Sequence, residues 1–144
     1  MTRRTPPRRG CSAATLMQWQ KTNERLDEMA ALSENWNSYG GHPPTPGALA
    51  CARALLNAIQ LLPGALQASL SHPYAMAPLP HGGVYFEWRG PQRALEVHID
   101  PEGRLGYLAV MQVGGDETFA EADAVSTETI LNLLARTLSP ESMA

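Results

Sequence analysis

The residues of this sequence with the most chemical capacity are Glu87, Glu96, His98 and Asp100. They fall in two stretches, "GVYFEWRG" and "RALEVHID", in which apolar and polar residues alternate. Alternation places Glu96, His98 and Asp100 on one face of a strand, and pairing the two stretches as a hairpin brings Glu87 to the same face of its neighbour. Two carboxylates flanking an imidazole could raise its pKa, orient it as a general base or hold a divalent cation. The same pattern also describes the polar outer face of a half-solvated sheet. His72 and His81 sit in proline- and glycine-rich sequence with no nucleophile at motif spacing, and His42 has no second ligand type nearby. Nucleophile elbows, phosphate-binding glycine loops, dinucleotide fingerprints and HExxH zinc helices do not occur. The four candidates therefore outline a small enzyme or metal-binding protein using His98 only as an alternative to binding, and no cofactor or metal is implied.

Those residues need elements to position them. The sequence from residue 13 carries Leu16, Trp19, Asn23, Leu26 and Ala30 at helical steps, which predicts an amphipathic helix ending near Leu32. Thr45 as N-cap and Pro46 as first helical residue open a second helix through "GALACARALLNAIQLL", stopped by Pro63 and Gly64. Its alanines 48, 50, 52 and 54 should let another element approach closely. Prolines at 73, 78 and 80 mark an extended connection with at most an edge strand around Tyr74. Val84, Phe86 and Trp88, then Leu95, Val97 and Ile99, supply the apolar face of the predicted hairpin, with a turn at Gly90, Pro91 and Gln92. Asp100, Pro101, Glu102 and Gly103 turn the chain into a third strand, "RLGYLAVMQV", and "GGDETF" offers a further turn and a short fourth strand. Ser126 then caps a helix through "ETILNLLARTL" whose Ile130, Leu133, Leu134 and Leu138 face inward. The predicted fold class is α+β: two N-terminal helices, an antiparallel meander of three to four strands and a C-terminal helix.

Between the first two helices lies "SENWNSYGGHPPTP". Gly40 and Gly41 can supply positive φ for a reversal, and three prolines keep the flanking helices from fusing. Trp36 and Tyr39 are expected to fold back as a plug under this corner. If they are instead exposed, Trp36, Tyr39 and His42, with Tyr85 on the outer sheet face, form an amphipathic partner-binding patch.

Composition sets outer limits. At 144 residues with 44% hydrophobic and 17% charged residues, the chain suits one globular domain, assigned to residues 13–140 after a tail at 1–12. The tail, "MTRRTPPRRGCS", has no apolar periodicity and is expected to be disordered. Arg3, Arg4, Arg8 and Arg9 carry +4 of the formal net charge of −3, which leaves −7 on the rest. So acidic a body is a poor platform for nucleic-acid phosphates, and nucleic acid could be contacted only through the arginine arm. Cys11 and Cys51 lie outside any metal-ligand spacing and are read as reduced thiols. No apolar run reaches membrane-spanning length and the start lacks a signal-peptide core, so the expected location is cytoplasmic, with no membrane partner.

Three stretches carry a resemblance. "WNSYGGHPP" at residues 36–44, "GGVYFEW" at 82–88 and "LEVHIDPEG" at 95–103 resemble a loose group of small bacterial and phage-borne proteins. That group shows a Trp-(Asp or Asn)-x-Tyr-Gly-(Gly or Ala)-x-Pro corner, then Gly-Gly-(Val or Ile) before a Glu-Trp strand and an acidic Asp-Gly hairpin. The likeness spans roughly residues 32–108 and transfers no catalytic residue. It implies a small partner protein in toxin–antitoxin, defence or counter-defence systems. With the acidic body and the lack of catalytic motifs, it favours a non-enzymatic protein-binding module with a basic protein partner. A homo-oligomer is also compatible with the sequence.

Overall fold

The computed structural model describes residues 13–62 and 73–138. Its elements run α1 (Ala13–Ala30), α2 (Pro46–Gln60), β1 (Ala75–Pro78), β2 (Val84–Arg89), β3 (Arg93–Ile99), β4 (Leu105–Val113), β5 (Asp116–Val125) and α3 (Thr127–Leu138). The strands form one antiparallel sheet in chain order, β1-β2-β3-β4-β5, so the protein is α+β. No helix among the described residues is long and apolar enough to cross a membrane.

Alternation decides which face of the sheet is packed. Val84, Phe86, Trp88, Leu95, Val97 and Ile99 are all fully buried on one face, where they join α2 and α3 in a single core with Leu55, Leu56, Ile59, Ile130 and Leu134. Phe86 and Trp88 stack with ring centroids 5.6 Å apart. Each buried side chain of this size contributes about 1.5–3 kcal/mol by leaving water.

The predicted caps hold. Thr45 Oγ1 accepts from the Ala48 amide at 3.0 Å and donates to the Pro101 carbonyl at 2.6 Å, so one hydroxyl starts α2 and ties it to the β3–β4 turn. Ser126 Oγ accepts from the Thr129 amide at the start of α3. Glycines fix two close approaches: a Cβ on Gly83 would lie 2.2 Å from the Ile99 carbonyl, and one on Gly90 would lie 1.7 Å from the Thr137 carbonyl.

Several expectations are corrected. The buried stripe of α1 runs Trp19, Thr22, Leu26 and Met29, while Leu16 is 57% exposed and Ala30 faces solvent. Burial thus starts one turn later than expected, and a final step of three carries it to Met29. Of the four α2 alanines only Ala48 and Ala52 are buried, because residues two apart on a helix point roughly 200° apart and four alternating alanines cannot share one face. The sheet has five strands, with the proline-rich edge segment forming β1. The short fourth strand expected at "GGDETF" is the ten-residue β5. Gly114 and Gly115, at φ 57° and 90°, make the tight reversal of a β4–β5 hairpin. Once the chain is reversed, backbone pairing with β4 extends β5 without an apolar alternation of its own. The stop at Pro63 and Gly64 lies outside the described residues, as do the arm at 1–12, Cys11 and His72.

Candidate functional site

The other face of the sheet carries Tyr85 and Glu87 on β2, Glu96 and His98 on β3, Gly106, Leu108 and Val110 on β4, and Glu117, Phe119, Glu121 and Asp123 on β5. Strand register sets their neighbours: Tyr85 opposes His98, Glu87 opposes Glu96, Glu96 opposes Leu108, Leu108 opposes Glu121, and Val110 opposes Phe119. Leu108, Val110 and Phe119 make an apolar centre, with Phe119 63% exposed, and carboxylates surround it.

Glu87 and Glu96 stand directly opposite, where like charges repel. Glu87 is relieved locally, because Tyr85 Oη donates to its Oε1 at 3.0 Å and Arg89 Nε donates to its Oε2. The Arg89 guanidinium in turn lies 4.0 Å from the centre of the Tyr74 ring. Burial pushes the Tyr85 phenol well above its usual pKa, and the hydrogen bond to Glu87 and the charge of Glu96 push it further. Tyr85 is therefore a fixed donor rather than a phenolate.

His98 finds a partner outside the expected set. Its Nε2 lies 3.1 Å from Oδ1 of Asp123, two strands away and 25 residues later. The reach crosses β4 at Gly106, where a Cβ would sit 2.3 Å from His98 Nε2 and 2.7 Å from Asp123 Oδ1. A register irregularity between Leu105 and Tyr107 and a positive φ of 55° at Ala124 lie beside the pair. Asp123 carries no spacing signal in the sequence. Gly106 does, since a lone glycine inside a strand marks a bulge or a close approach.

Asp100 is engaged elsewhere. Its Oδ1 accepts from the amides of Glu102 and Arg104 at 3.0 and 2.8 Å, and its Oδ2 accepts from Arg104 Nε at 2.8 Å. The Arg104 amide, opposed by the cost of burial and helped by the Arg104 guanidinium, holds the Asp100 carboxyl below the usual carboxylate range. His98, Asp100, Arg104 and Asp123 border one hollow of about 380 Å³. The structure therefore aligns Glu87, Glu96 and His98 on one face as expected, but it joins His98 to Asp123 and commits Glu87 and Asp100 to other partners. Among the described residues, no three His, Cys, Asp or Glu side chains come together in an arrangement that could hold a metal ion.

The corner is a separate feature. Asn35 and Asn37 staple it: Asn37 Oδ1 accepts from the amides of Tyr39 and Gly41, and Asn35 Oδ1 accepts from that of Gly40. Trp36 is half-buried and donates from Nε1 to the His42 carbonyl at 2.8 Å. Tyr39 is 91% exposed, which corrects its expected place in a plug. The carboxamide of Asn37 fills the space under the loop instead, so close to Gly41 that a Cβ there would lie 2.7 Å from it. Only Gly40 of the glycine pair has positive φ, and Asn35 and Ser38 supply the other left-handed turns. His42 Nδ1 meets Glu34 Oε1 at 2.7 Å, and its amide binds the Pro80 carbonyl. The hydrogen bonds of Trp36, Tyr39 and His42 thus stay within the corner and the β1–β2 connection, apart from those of Tyr85.

Cys51 is a free, half-buried thiol whose pKa is raised by burial and then by the charge of Asp100. Between α1 and β1 lies a larger hollow of about 670 Å³, bordered by Lys21, Arg25, Glu28, Tyr74 and Met76. Its charges are mixed. Comparison of the chain with protein-family models, with curated proteins and with solved structures gave no match.

Proposed function

We propose that this protein is a non-enzymatic binding module that docks a basic protein partner on the outer face of its sheet. The carrying observation is the make-up of that face: Leu108, Val110 and Phe119 sit among Glu87, Glu96, Glu117, Glu121 and Asp123, with the helices packed into the core on the opposite side. An apolar centre with a charged surround is how a specific interface combines desolvation with orientation, and an acidic field speeds encounter with a basic partner. Service as a neutralising or accessory subunit of a toxin–antitoxin, defence or counter-defence system is proposed from the resemblance of the corner and strand motifs.

Affinity capture from the native host with wild type and the Glu96→Lys, Glu121→Lys double variant tests this. A basic protein held stoichiometrically at low salt, released at high salt and lost with the charge reversal supports the proposal. Capture that is indifferent to the reversal, or no captured protein, counts against it. A second reading, catalysis by His98, is favoured by the His98–Asp123 pair. It requires that His98→Ala abolish a hydrolytic or cation-dependent activity while leaving the melting temperature unchanged.

A further inference from the structure

We infer that β5 receives an extended segment of the partner as a sixth strand, and that this segment alternates basic with apolar residues. The inference rests on the binding reading above and names its geometry.

β5 is an edge strand of ten residues, and among the described residues it pairs only with β4. Its outward N–H and C=O groups therefore form a row ready to pair with another chain. The opposite edge shows how this protein closes an edge. β1 has four residues, ends at Pro78, and has its Met76 carbonyl occupied by Arg25 Nη2 from α1 at 2.9 Å. β5 has neither shortness nor proline, and eight of its ten residues are exposed.

Side-chain chemistry on the two faces of β5 selects the occupant. Glu117, Glu121 and Asp123 project to the outer face around Phe119, Asp116 adds a fourth carboxylate, and β5 contains no lysine or arginine. A second copy of β5 is disfavoured. In an antiparallel two-fold pairing, residues on one face meet only residues of the same face, so Glu117, Glu121 and Asp123 would crowd their own counterparts. A strand with lysine or arginine at alternate positions meets them favourably. On the inner side Thr118 and Ala120 are small and uncharged. Beneath them Tyr107, Ala109, Met111 and Leu133, with Arg136, border a hollow of about 250 Å³ between β5 and α3. The inward side chains of an added strand would enter that hollow, which suits apolar residues whose neighbours are basic.

The test uses the full chain, isotope-labelled, and a synthetic ten-residue peptide alternating lysine with valine. Two further peptides of the same sequence carry N-methyl groups on alternate residues, one in each of the two registers. Strand addition predicts that amide exchange across Asp116–Val125 slows at least about tenfold on binding, while Ala75–Pro78 is unaffected, and that one methylated register fails to bind. If both methylated peptides bind as well as the parent and β5 exchange is unchanged, strand addition is wrong and the acidic-face reading still stands on its capture experiment. No binding of the parent peptide also overturns strand addition. A concentration-dependent dimer with protected β5 amides in the absence of peptide would overturn the choice of occupant.

Discussion

The two edges of the sheet resolve the same problem differently. β1 is tied to α1 through Arg25, which donates to the carbonyl of Met76, a residue only 8% exposed. Beside it, the Arg89 guanidinium stacks on Tyr74. β5 has one neighbouring strand and stays solvated almost throughout. The difference comes from how far the helices reach. α2 and α3 contribute Leu55, Leu56, Ile59, Ile130 and Leu134 to a core whose sheet residues are mainly those of β2 and β3, with Leu105 the only fully packed apolar residue of β4. Beyond that, packing thins to the partly buried Tyr107, Ala109 and Val125, and the outer strand is held mainly by backbone pairing. An edge is closed where a helix can lend it a donor, and open where the helical layer ends.

That contrast can be broken from either side. The largest effect should come from the packed half: Trp88→Ala empties a fully buried site stacked on Phe86 and should cost about 3–5 kcal/mol in denaturant unfolding. Next, Arg25→Ala removes the donor that closes β1, and a loss of about 1 kcal/mol is expected. Amide exchange at Ala75–Pro78 should accelerate with it, and a β1 that stays protected would show that the edge is closed by some other contact.

Asp100 sharpens the comparison at the β3–β4 turn, which joins the packed half to the open one. Its folded-state pKa is lowered, so its contribution is present above the unfolded carboxylate range and is lost as the pH falls through the folded value. Asp100→Asn should therefore be less stable than wild type at neutral pH, by about 1 kcal/mol or less, and the two denaturation midpoints should converge in acid. A gap that persists at low pH would assign the role of Asp100 to shape rather than charge. The smallest effect belongs to the open half. Phe119→Ala should shift stability by no more than about 0.5 kcal/mol while weakening partner capture, because the ring is exposed and packs little.

Much of the fold was legible in the sequence because it is written in local terms. The strict alternation of Val84, Phe86 and Trp88 with Tyr85 and Glu87 fixes both a strand and its buried face, since a slip of one residue would turn Phe86 and Trp88 into water. Thr45 before Pro46 and Ser126 before Thr127 state two helix starts through hydrogen bonds that close within three residues. Asp100 likewise announces its turn, as its carboxylate reaches only the amides two and four residues ahead and the Arg104 guanidinium beside them.

The candidate site was legible by halves. Alternation placed Tyr85, Glu87, Glu96 and His98 on one face, because that depends on neighbours in the chain. The partner of His98 depended on which strand lies two places away and on Gly106 leaving room over the strand between, and no local pattern encodes that distance. The exposure of Tyr39 was decided in the same way, by the Asn37 carboxamide taking the space under the corner. So was the openness of β5, whose composition resembles an ordinary polar loop until β4 pairs with it. By itself the sequence determined the helices, the caps of α2 and α3 and the buried face of the first hairpin, because those rest on forces acting over a few residues. Only the tertiary structure decided which carboxylate meets His98 and which edge of the sheet stays free, because both follow from where distant segments come to lie.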